Sequence, residues 1–487
     1  MVTDTLLVGG ATLVCHAFGA VTSLLLRSLL DPALMGIWQG LKTFLSYGNY
    51  TNLGISKGAT QELAMARGRG DPSSARQGLN LAYTVNSLSS LFYCVALCSA
   101  AAWIAARNSG PWSRAWALGL AAIGVLSLLQ RHVTFLVTIL RARQEFAATS
   151  RLSIIEAVLT LVASAAAIAL CGLPGMYVAT AIVLLASWAY LHHRGAEPLR
   201  WAWNLPEIRR LISIGGPILL AGIASSLFRS LDKLMILGYL ENREHQLGCY
   251  SLALMVSTQL YGLANMLSTV MGPRYSELLG HSQSRRDVAR LAARASEMQA
   301  AALALSAGLA LIAAPPVLRW LLPEYQTGLV PLLWLIPGLL AAGMALPASQ
   351  YLIAVNQGRR VVAALLTATG IAALGNHWVL THGGGLPSVA MVTSIANFVY
   401  LAILVTVSLW PQLNSTERWR YLGVLGLTLG SNLALVILLS PQLESIGQDF
   451  PRYAGGALLI AVGWLACVLV GWRYGGWSSA WQMRRTG

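Results

Sequence analysis

Residues 152–172 read LSIIEAVLTLVASAAAIALCG, with Glu156 as the one charged side chain. An α-helix crosses the roughly 30 Å hydrocarbon core of a bilayer in about 20 residues of this kind. The pattern recurs along all 487 residues, of which 56% are hydrophobic and only 10% are charged. Soluble domains carry roughly 25% charged residues. The sequence therefore predicts an all-α polytopic membrane protein.

The same criterion predicts about fourteen transmembrane helices along the chain. The first six lie near 6–29, 34–55, 79–105, 115–140, 152–172 and 175–193. The other eight lie near 212–239, 247–271, 296–318, 328–354, 361–381, 386–409, 421–440 and 454–472. The second span is the least regular, because Gly48-Asn49-Tyr50-Thr51-Asn52 makes it polar for a helix that faces lipid.

Loop charges predict the orientation of these spans. With an even number of spans and a cytoplasmic N-terminus, the cytoplasmic segments hold 23 of the 33 lysine and arginine residues, and the outer segments hold five. Lys and Arg are retained on the cytoplasmic side of a membrane, which accounts for such a bias. We therefore expect both termini to be cytoplasmic.

Enzymatic and metal chemistry find no support in the sequence. The six cysteines all lie in apolar stretches and form neither a CxxC motif nor a Cys/His cluster. The chain has no Walker A motif, no HExxH motif and no nucleophile constellation. We predict no catalytic residues, no metal site and no cofactor.

Two stretches about 200 residues apart predict an internal repeat. Arg27-Ser28-Leu29-Leu30-Asp31 corresponds to Arg229-Ser230-Leu231-Asp232, although chance similarity between apolar segments is the alternative. Parallel repeats of this kind place a central cavity between two lobes. The predicted divisions are an N-terminal lobe (1–193), a cytoplasmic linker (194–211), a C-terminal lobe (212–409), and a segment with the last two helices and a cytoplasmic tail (410–487).

Seven charged residues fall inside the predicted spans and more than one residue from either end, although a charge at the bilayer midplane disfavours insertion by roughly 2.5–3.5 kcal/mol. The five bases are Arg27, Lys42, Arg131, Arg229 and Lys233, and the two acids are Glu156 and Asp232. This excess of bases favours a cavity that accepts an anion, and phosphate or pyrophosphate suits the several donors of Arg.

The depth of each base separates a functional interpretation from a structural one. Arg131, with His132 beside it, lies ten residues from Arg141, or about 15 Å along a helix. It faces either a cavity or a buried structural partner. Arg27 and Lys42 lie nearer the ends of their spans, where such side chains can also reach the headgroups.

The two acids have alternative roles as well. Asp232 neutralises Arg229 or Lys233, which share one helix face, or it binds a coupling ion. Glu156 lies about one turn inside the predicted cytoplasmic boundary, where a satisfied carboxylate is the alternative to a proton relay. With His132, these are the candidates for ion coupling or charge pairing.

The stretch Leu29-Leu30-Asp31-Pro32-Ala33-Leu34-Met35-Gly36-Ile37-Trp38, followed by Asn52-Leu53-Gly54-Ile55 and a basic loop, resembles the opening of polysaccharide-transporter flippases. Asp232-Lys233-Leu234 through Leu247-Gly248-Cys249-Tyr250 resembles the start of their second lobe. These include the O-antigen (Wzx-type) and exopolysaccharide flippases of the multidrug/oligosaccharidyl-lipid/polysaccharide superfamily. Length, span count and topology are similar over essentially the whole chain.

The resemblance implies two pseudo-symmetric six-helix lobes followed by two C-terminal helices. It implies movement of an undecaprenyl-pyrophosphate-linked oligosaccharide to the outer leaflet of the bacterial cytoplasmic membrane, by alternating access coupled to an ion gradient. In related flippases cavity arginines are thought to engage the pyrophosphate, and Arg27 and Arg229 match them by position. The implied partners are the lipid-linked glycan, membrane lipid, and polysaccharide polymerase and chain-length proteins, with no nucleic acid.

Three other functions stay open at this point. A MATE-like drug or cation antiporter should present acidic cavity residues, which the excess of bases disfavours. A lipid II flippase is close in mechanism, and the sequence does not separate it from an oligosaccharide flippase. A non-transporting membrane scaffold of a polysaccharide assembly complex would show no translocation activity when purified.

Overall fold

The computed structural model of the chain describes residues 2–69, 72–107, 110, 112–143, 145–194, 199–282 and 284–443. Over these ranges the protein is built from fourteen α-helices and short connections, without β-strands. The first seven are α1 (Val2–Leu29), α2 (Pro32–Tyr47), α3 (Ile55–Arg69), α4 (Pro72–Arg107), α5 (Ser113–Ala142), α6 (Phe146–Cys171) and α7 (Leu173–His193). The others are α8 (Leu205–Tyr239), α9 (Arg243–Ser282), α10 (Arg285–Leu321), α11 (Leu329–Ala354), α12 (Gly358–Thr381), α13 (Leu386–Ser408) and α14 (Ser415–Leu439).

Within the described ranges, twelve helical segments are long and apolar enough to cross a membrane, which confirms the all-α polytopic membrane fold. They correspond to twelve of the fourteen predicted spans. Of the second predicted span, 34–55, only the part up to Tyr47 lies in α2, and α3 begins at Ile55, the last residue of that span. The fourteenth, 454–472, lies outside the described residues.

The surface of the protein is apolar, as a lipid-facing exterior requires. Large apolar side chains are exposed on this surface, among them Leu170 (84% exposed) and Phe92 (76% exposed). By contrast, α11 is apolar on all sides and packs against α9, α10 and α13. A helix that is hydrophobic all round belongs in the interior of a bundle.

Two compact units, Met1–Ser230 and Leu231–Gly487, divide the chain within α8. The sequence analysis places the division earlier, at the linker 194–211. The first part of α8 instead packs on α3 in the first unit. Their backbones touch there, since a Cβ added to Gly215 would lie 2.0 Å from the carbonyl oxygen of Gly54. Small residues permit such close approach between membrane helices.

The turn between α1 and α2 is set by the Asp31-Pro32 pair of the motif quoted above. The Asp31 carboxylate accepts hydrogen bonds from the backbone N–H groups of Ala33 (2.8 Å) and Leu34 (3.0 Å). Pro32 occupies the first helical position, where its missing N–H leaves no bond unmade. Asp31 is therefore the N-cap of α2 and fixes where that helix begins.

We expect Gly215→Ala to lower the free energy of unfolding by about 1–3 kcal/mol, because the new methyl group meets backbone that cannot move aside. The adjacent Gly216 is the matched control, since a Cβ there meets nothing within 4 Å. Gly216→Ala should be neutral or stabilising, by up to about 1 kcal/mol. Thermal unfolding of the detergent-purified variants measures both effects. Equal effects of the two substitutions would contradict the close packing of α3 and α8.

Candidate functional site

The second span is interrupted at residues 48–54. A single 3-10 turn, Gly48–Tyr50, follows α2, and the backbone reaches a positive φ of 83° at Gly54. The side chain of Asn52 fixes this turn: its oxygen accepts from the Gly54 N–H (3.1 Å) and its amide donates to the Ser56 hydroxyl (2.9 Å). The polar segment seen in the sequence is therefore the bend between α2 and α3, called the break below.

Arg131 on α5 supplies hydrogen-bond donors to this break. Its guanidinium donates to the carbonyl oxygen of Gly48 and to the hydroxyl of Thr51. It also donates to two side chains of α4, Asn86 Oδ1 (2.5 Å) and Ser89 Oγ (3.1 Å). The side chain is only 3% exposed. Arg131 thus ties α4 and α5 to the interrupted helix from inside the first unit.

Neutral dipoles surround the positive charge of Arg131. All four of its acceptors are uncharged, and the Gly48 carbonyl lies at the C-terminal end of α2. That end of a helix carries a partial negative charge of about half an electron. Tyr93 adds a second bond at the same end by donating to the Phe44 carbonyl oxygen (2.6 Å). Arg131 and Tyr93 together cap the C-terminus of α2.

Arg27 and Lys42 come from α1 and α2, and their charges repel each other. The Arg27 guanidinium donates to the carbonyl oxygen (2.7 Å) and hydroxyl (2.9 Å) of Ser23, so it points back along α1. Lys42 lies in the middle of α2, yet its side chain is exposed. The sequence-predicted bases Arg27 and Lys42 therefore do come close together in the first unit.

Arg229 lies on the part of α8 that belongs to the same unit, and its side chain is exposed. Its neighbour Ser230 shares a hydrogen bond with the Tyr47 hydroxyl at the end of α2. This bond holds α8 against the helix that carries Lys42. With Arg131 on α5, four of the five predicted bases are thus carried by α2 or by helices that contact it.

The predicted pair Asp232 and Lys233 belongs to the second unit. Asp232 is 3% exposed and accepts a hydrogen bond from the Tyr250 hydroxyl of α9 (2.7 Å). Its charge is also attracted by that of Lys233. The carboxylate is therefore bonded in a protein interior, as expected for either a charge partner or an ion site.

Glu156 lies deeper in its helix than the sequence indicates. Because α6 begins at Phe146, six residues before the predicted span, Glu156 is ten residues from its start, or about 15 Å along the axis. Its carboxylate accepts a hydrogen bond from the Ser187 hydroxyl of α7 (2.7 Å). The start of the helix does not fix the membrane boundary, so the expected position about one turn inside that boundary stays a prediction.

His132 packs among aromatic rings rather than with the groups that bind Arg131. Its ring lies 5.9 Å from that of Tyr83 and 6.0 Å from that of His192, measured between centroids. The two neighbours in sequence, Arg131 and His132, therefore contact different surroundings.

The residues that hold Arg131 and Asp232 are absent from the sequence-based candidates. Asn86, Ser89 and Tyr93 share one face of α4 at helical spacing, which is the signal that could have found them. Tyr250 carries no such signal, because a single tyrosine in an apolar helix is usual. Its role depends on the packing of α9 against α8.

Comparison with known families gives one match for the sequence. The model of the family described as "Polysaccharide biosynthesis protein" matches residues 1–279, which is more than half of the chain. Nothing among curated protein sequences matches it.

Solved structures with a similar fold are membrane transporters. The lipid II flippase MurJ in an inward closed conformation has a TM-score of 0.70 at 13% identity, covering 96% of this chain and 99% of its own. An inward-facing multidrug resistance MATE transporter of the MOP superfamily has a TM-score of 0.62 at 14% identity, covering 84% and 95%. A MOP superfamily transporter from Pyrococcus furiosus, described as having a binding pocket of reverse polarity, has a TM-score of 0.59 at 12% identity, covering 86% and 94%.

We expect Arg131→Gln to destabilise the first unit, by about 1–3 kcal/mol for each buried acceptor left without a donor. It should also raise the reactivity of a cysteine placed at Asn49 toward a maleimide, because the break is no longer held. Arg141→Gln, at the exposed end of the same helix, is the matched control. If the two variants unfold and label alike, Arg131 does not hold the break.

Proposed function

The chain belongs to the polysaccharide biosynthesis protein family, and we propose that it is a flippase for a lipid-linked oligosaccharide. The cargo would be an undecaprenyl-pyrophosphate-linked O-antigen or exopolysaccharide repeat unit, carried across the bacterial cytoplasmic membrane by alternating access. Family membership supports a place in polysaccharide assembly. The transporter-like fold supports movement of the cargo rather than chemistry on it.

One observation carries this proposal: the charges of Arg27 and Lys42 lie close enough to repel each other within a membrane-spanning unit. Like charges repel more strongly in a protein than in water, because the effective dielectric constant is lower there. An anion bound beside both removes this repulsion and gains attraction to each. A diphosphate suits the pair because it carries several negative oxygens on a compact group.

The remaining predicted residues take parts that follow from their chemistry. The planar guanidinium groups of Arg27 and Arg229 can each donate two parallel hydrogen bonds to a phosphate. The ammonium groups of Lys42 and Lys233 act as point charges. We assign Arg131 to positioning rather than direct binding, because its donors are used on the interrupted helix.

Coupling, orientation and partners complete the proposal. Ligand-dependent differences between inward- and outward-open states would couple transport to an ion gradient, with buried Asp232 as a candidate in the second unit. Both termini would be cytoplasmic, as the loop charges indicate. The protein would deliver its cargo to a polysaccharide polymerase and chain-length proteins.

A lipid II flippase is the second candidate, favoured by the similarity to MurJ over 96% of this chain. Both cargoes are polyprenyl diphosphates, so the bases proposed here would serve either one. Expression in a strain that lacks its lipid II flippase, and separately in one that lacks an O-antigen flippase, distinguishes the two. We expect rescue of the second strain alone.

We expect Lys42→Ala to abolish this rescue while the protein stays in the membrane at its normal level. Loss of one charge-assisted contact should weaken pyrophosphate binding about tenfold or more. The binding measurement is the thermal stabilisation of purified protein by inorganic pyrophosphate, since a ligand stabilises the state that binds it. Lys42→Arg should retain part of both activities.

Lys57 is the matched control, because it is an exposed lysine at the start of α3. Lys57→Ala should leave rescue and pyrophosphate binding unchanged. Full rescue by Lys42→Ala, Arg27→Ala and Arg229→Ala would show that these bases do not bind the cargo.

A further inference from the structure

Glu156 is a half-buried carboxylate of the first unit that is hydrogen-bonded to a serine of the next helix. It lies in the middle third of α6, ten residues from Phe146 and fifteen from Cys171. Its hydrogen-bond partner on α7 is the Ser187 hydroxyl, whose oxygen lies 2.7 Å from Glu156 Oε1, and Ser187 is only 1% exposed. A carboxylate in such surroundings is stabilised far less than one in water.

The Ser187 hydroxyl has two acceptors within reach but only one proton. Besides Glu156, its oxygen lies 2.9 Å from the carbonyl oxygen of Val183, one turn earlier on α7. A hydroxyl donates one hydrogen bond and can accept others. The serine proton can therefore go to either acceptor, and when Glu156 carries a proton it can donate to Ser187 Oγ while Ser187 donates to Val183.

We propose that Glu156 and Ser187 form a proton-binding site of the first unit, and that the proton is the ion to which transport is coupled. In the ionised state Ser187 donates to the carboxylate and leaves the Val183 carbonyl. When one proton binds, the carboxyl group donates to Ser187 Oγ, and the serine proton turns to Val183. The coupling part of this proposal rests on the proposed flippase function; the proton site does not.

Few other charges face Glu156. The helices packed against α6 are α1, α5 and α7. On α1 the titratable group that interacts with it is the Cys15 thiol. On α5 it is Arg141, which is exposed at the end of that helix and attracts the carboxylate more weakly than the Ser187 bond does. On α7 the group that touches it is the uncharged Ser187.

The chemistry of the site selects a proton over a metal ion. Sodium- or calcium-type sites use about six oxygen ligands. The groups described near the Glu156 carboxylate are the Ser187 hydroxyl and the Cys15 thiol. Among the described residues there is no group of three or more His, Cys, Asp or Glu that could hold a metal ion. A single carboxyl group with a hydroxyl that can donate or accept is sufficient for a proton.

The test is the reaction of Glu156 with dicyclohexylcarbodiimide, which modifies protonated carboxyl groups in apolar surroundings. Purified protein is labelled over a range of pH, and the modified peptide is quantified by mass spectrometry. We expect labelling of Glu156 that falls as pH rises, and none at that position in Glu156→Gln. The exposed Glu145, which precedes the same helix, is the internal reference and should label weakly throughout.

Ser187→Ala distinguishes a proton site that uses the Ser187 hydroxyl from a buried carboxyl group that titrates without it. Without the hydroxyl the ionised form loses a charge-assisted bond, so the midpoint of labelling should move about one unit toward higher pH. His16→Gln controls for the histidine next to Cys15 and should leave the midpoint in place. Labelling that does not titrate, or a midpoint unmoved by Ser187→Ala, would overturn the proton site.

The coupling is tested by transport in the same variants. Glu156→Gln should lose the acceleration that a proton gradient gives to the wild type, and undiminished acceleration would overturn the coupling. If the wild type shows no transport of lipid-linked oligosaccharide, the proposed function fails instead. The labelling result can be interpreted whether or not the wild type transports the oligosaccharide, because labelling requires no cargo.

Discussion

The structure depends on one constraint, that every backbone N–H and C=O group inside the bilayer needs a partner, because water is not available there. A group without a partner costs several kcal/mol in hydrocarbon. The chain meets this requirement along its α-helices, and residues 48–54, between α2 and α3, are not α-helical. Arg131, Tyr93 and Asn52 supply bonds at that point. The break is therefore stabilised by hydrogen bonds from other parts of the first unit, chiefly those of the buried Arg131 guanidinium.

This support connects the fold to the proposed site. By capping the end of α2, Arg131 and Tyr93 fix the helix that carries Lys42, and the Tyr47–Ser230 bond fixes α8 beside it. Arg131 is surrounded by neutral dipoles and therefore needs no carboxylate partner. A carboxylate there would attract the neighbouring bases and so compete with an anionic cargo for them. The neighbouring bases Arg27, Lys42 and Arg229 are the groups that we propose to bind the anion. Fold similarity at 12–14% identity does not decide the cargo, so these side chains must.

Hydropathy and loop charge were sufficient to predict most of the fold. Spans such as 152–172 are recognisable because length and apolarity are local properties of the sequence. The polar run Gly48-Asn49-Tyr50-Thr51-Asn52 marked the second span as irregular, but not as broken, because the groups that satisfy a break lie on other helices. The predicted span begins six residues after α6 does, because Phe146-Ala147-Ala148-Thr149-Ser150 is less hydropathic than the rest of that helix.

The candidate site was predictable only in part, for a related reason. Depth identified Arg131 and Lys42 as charges that need an explanation, yet depth does not reveal partners. The acceptors of Arg131 are a carbonyl oxygen and neutral side chains from α4 and the break. No pattern in the sequence identifies such acceptors. The division of the chain within α8 likewise follows from the contact of Gly54 with Gly215, far apart in sequence.

The most direct measurement is translocation in sealed liposomes that contain the purified protein and a polyprenyl diphosphate oligosaccharide labelled on its sugar. Exposure of the sugar at the outer surface is followed with an added enzyme that cannot cross the membrane. The account predicts that exposure proceeds beyond the half reached in protein-free vesicles, that it needs Lys42, and that it is blocked by excess inorganic pyrophosphate. Exposure no greater than in protein-free vesicles, or equal movement of a cationic drug, would contradict it.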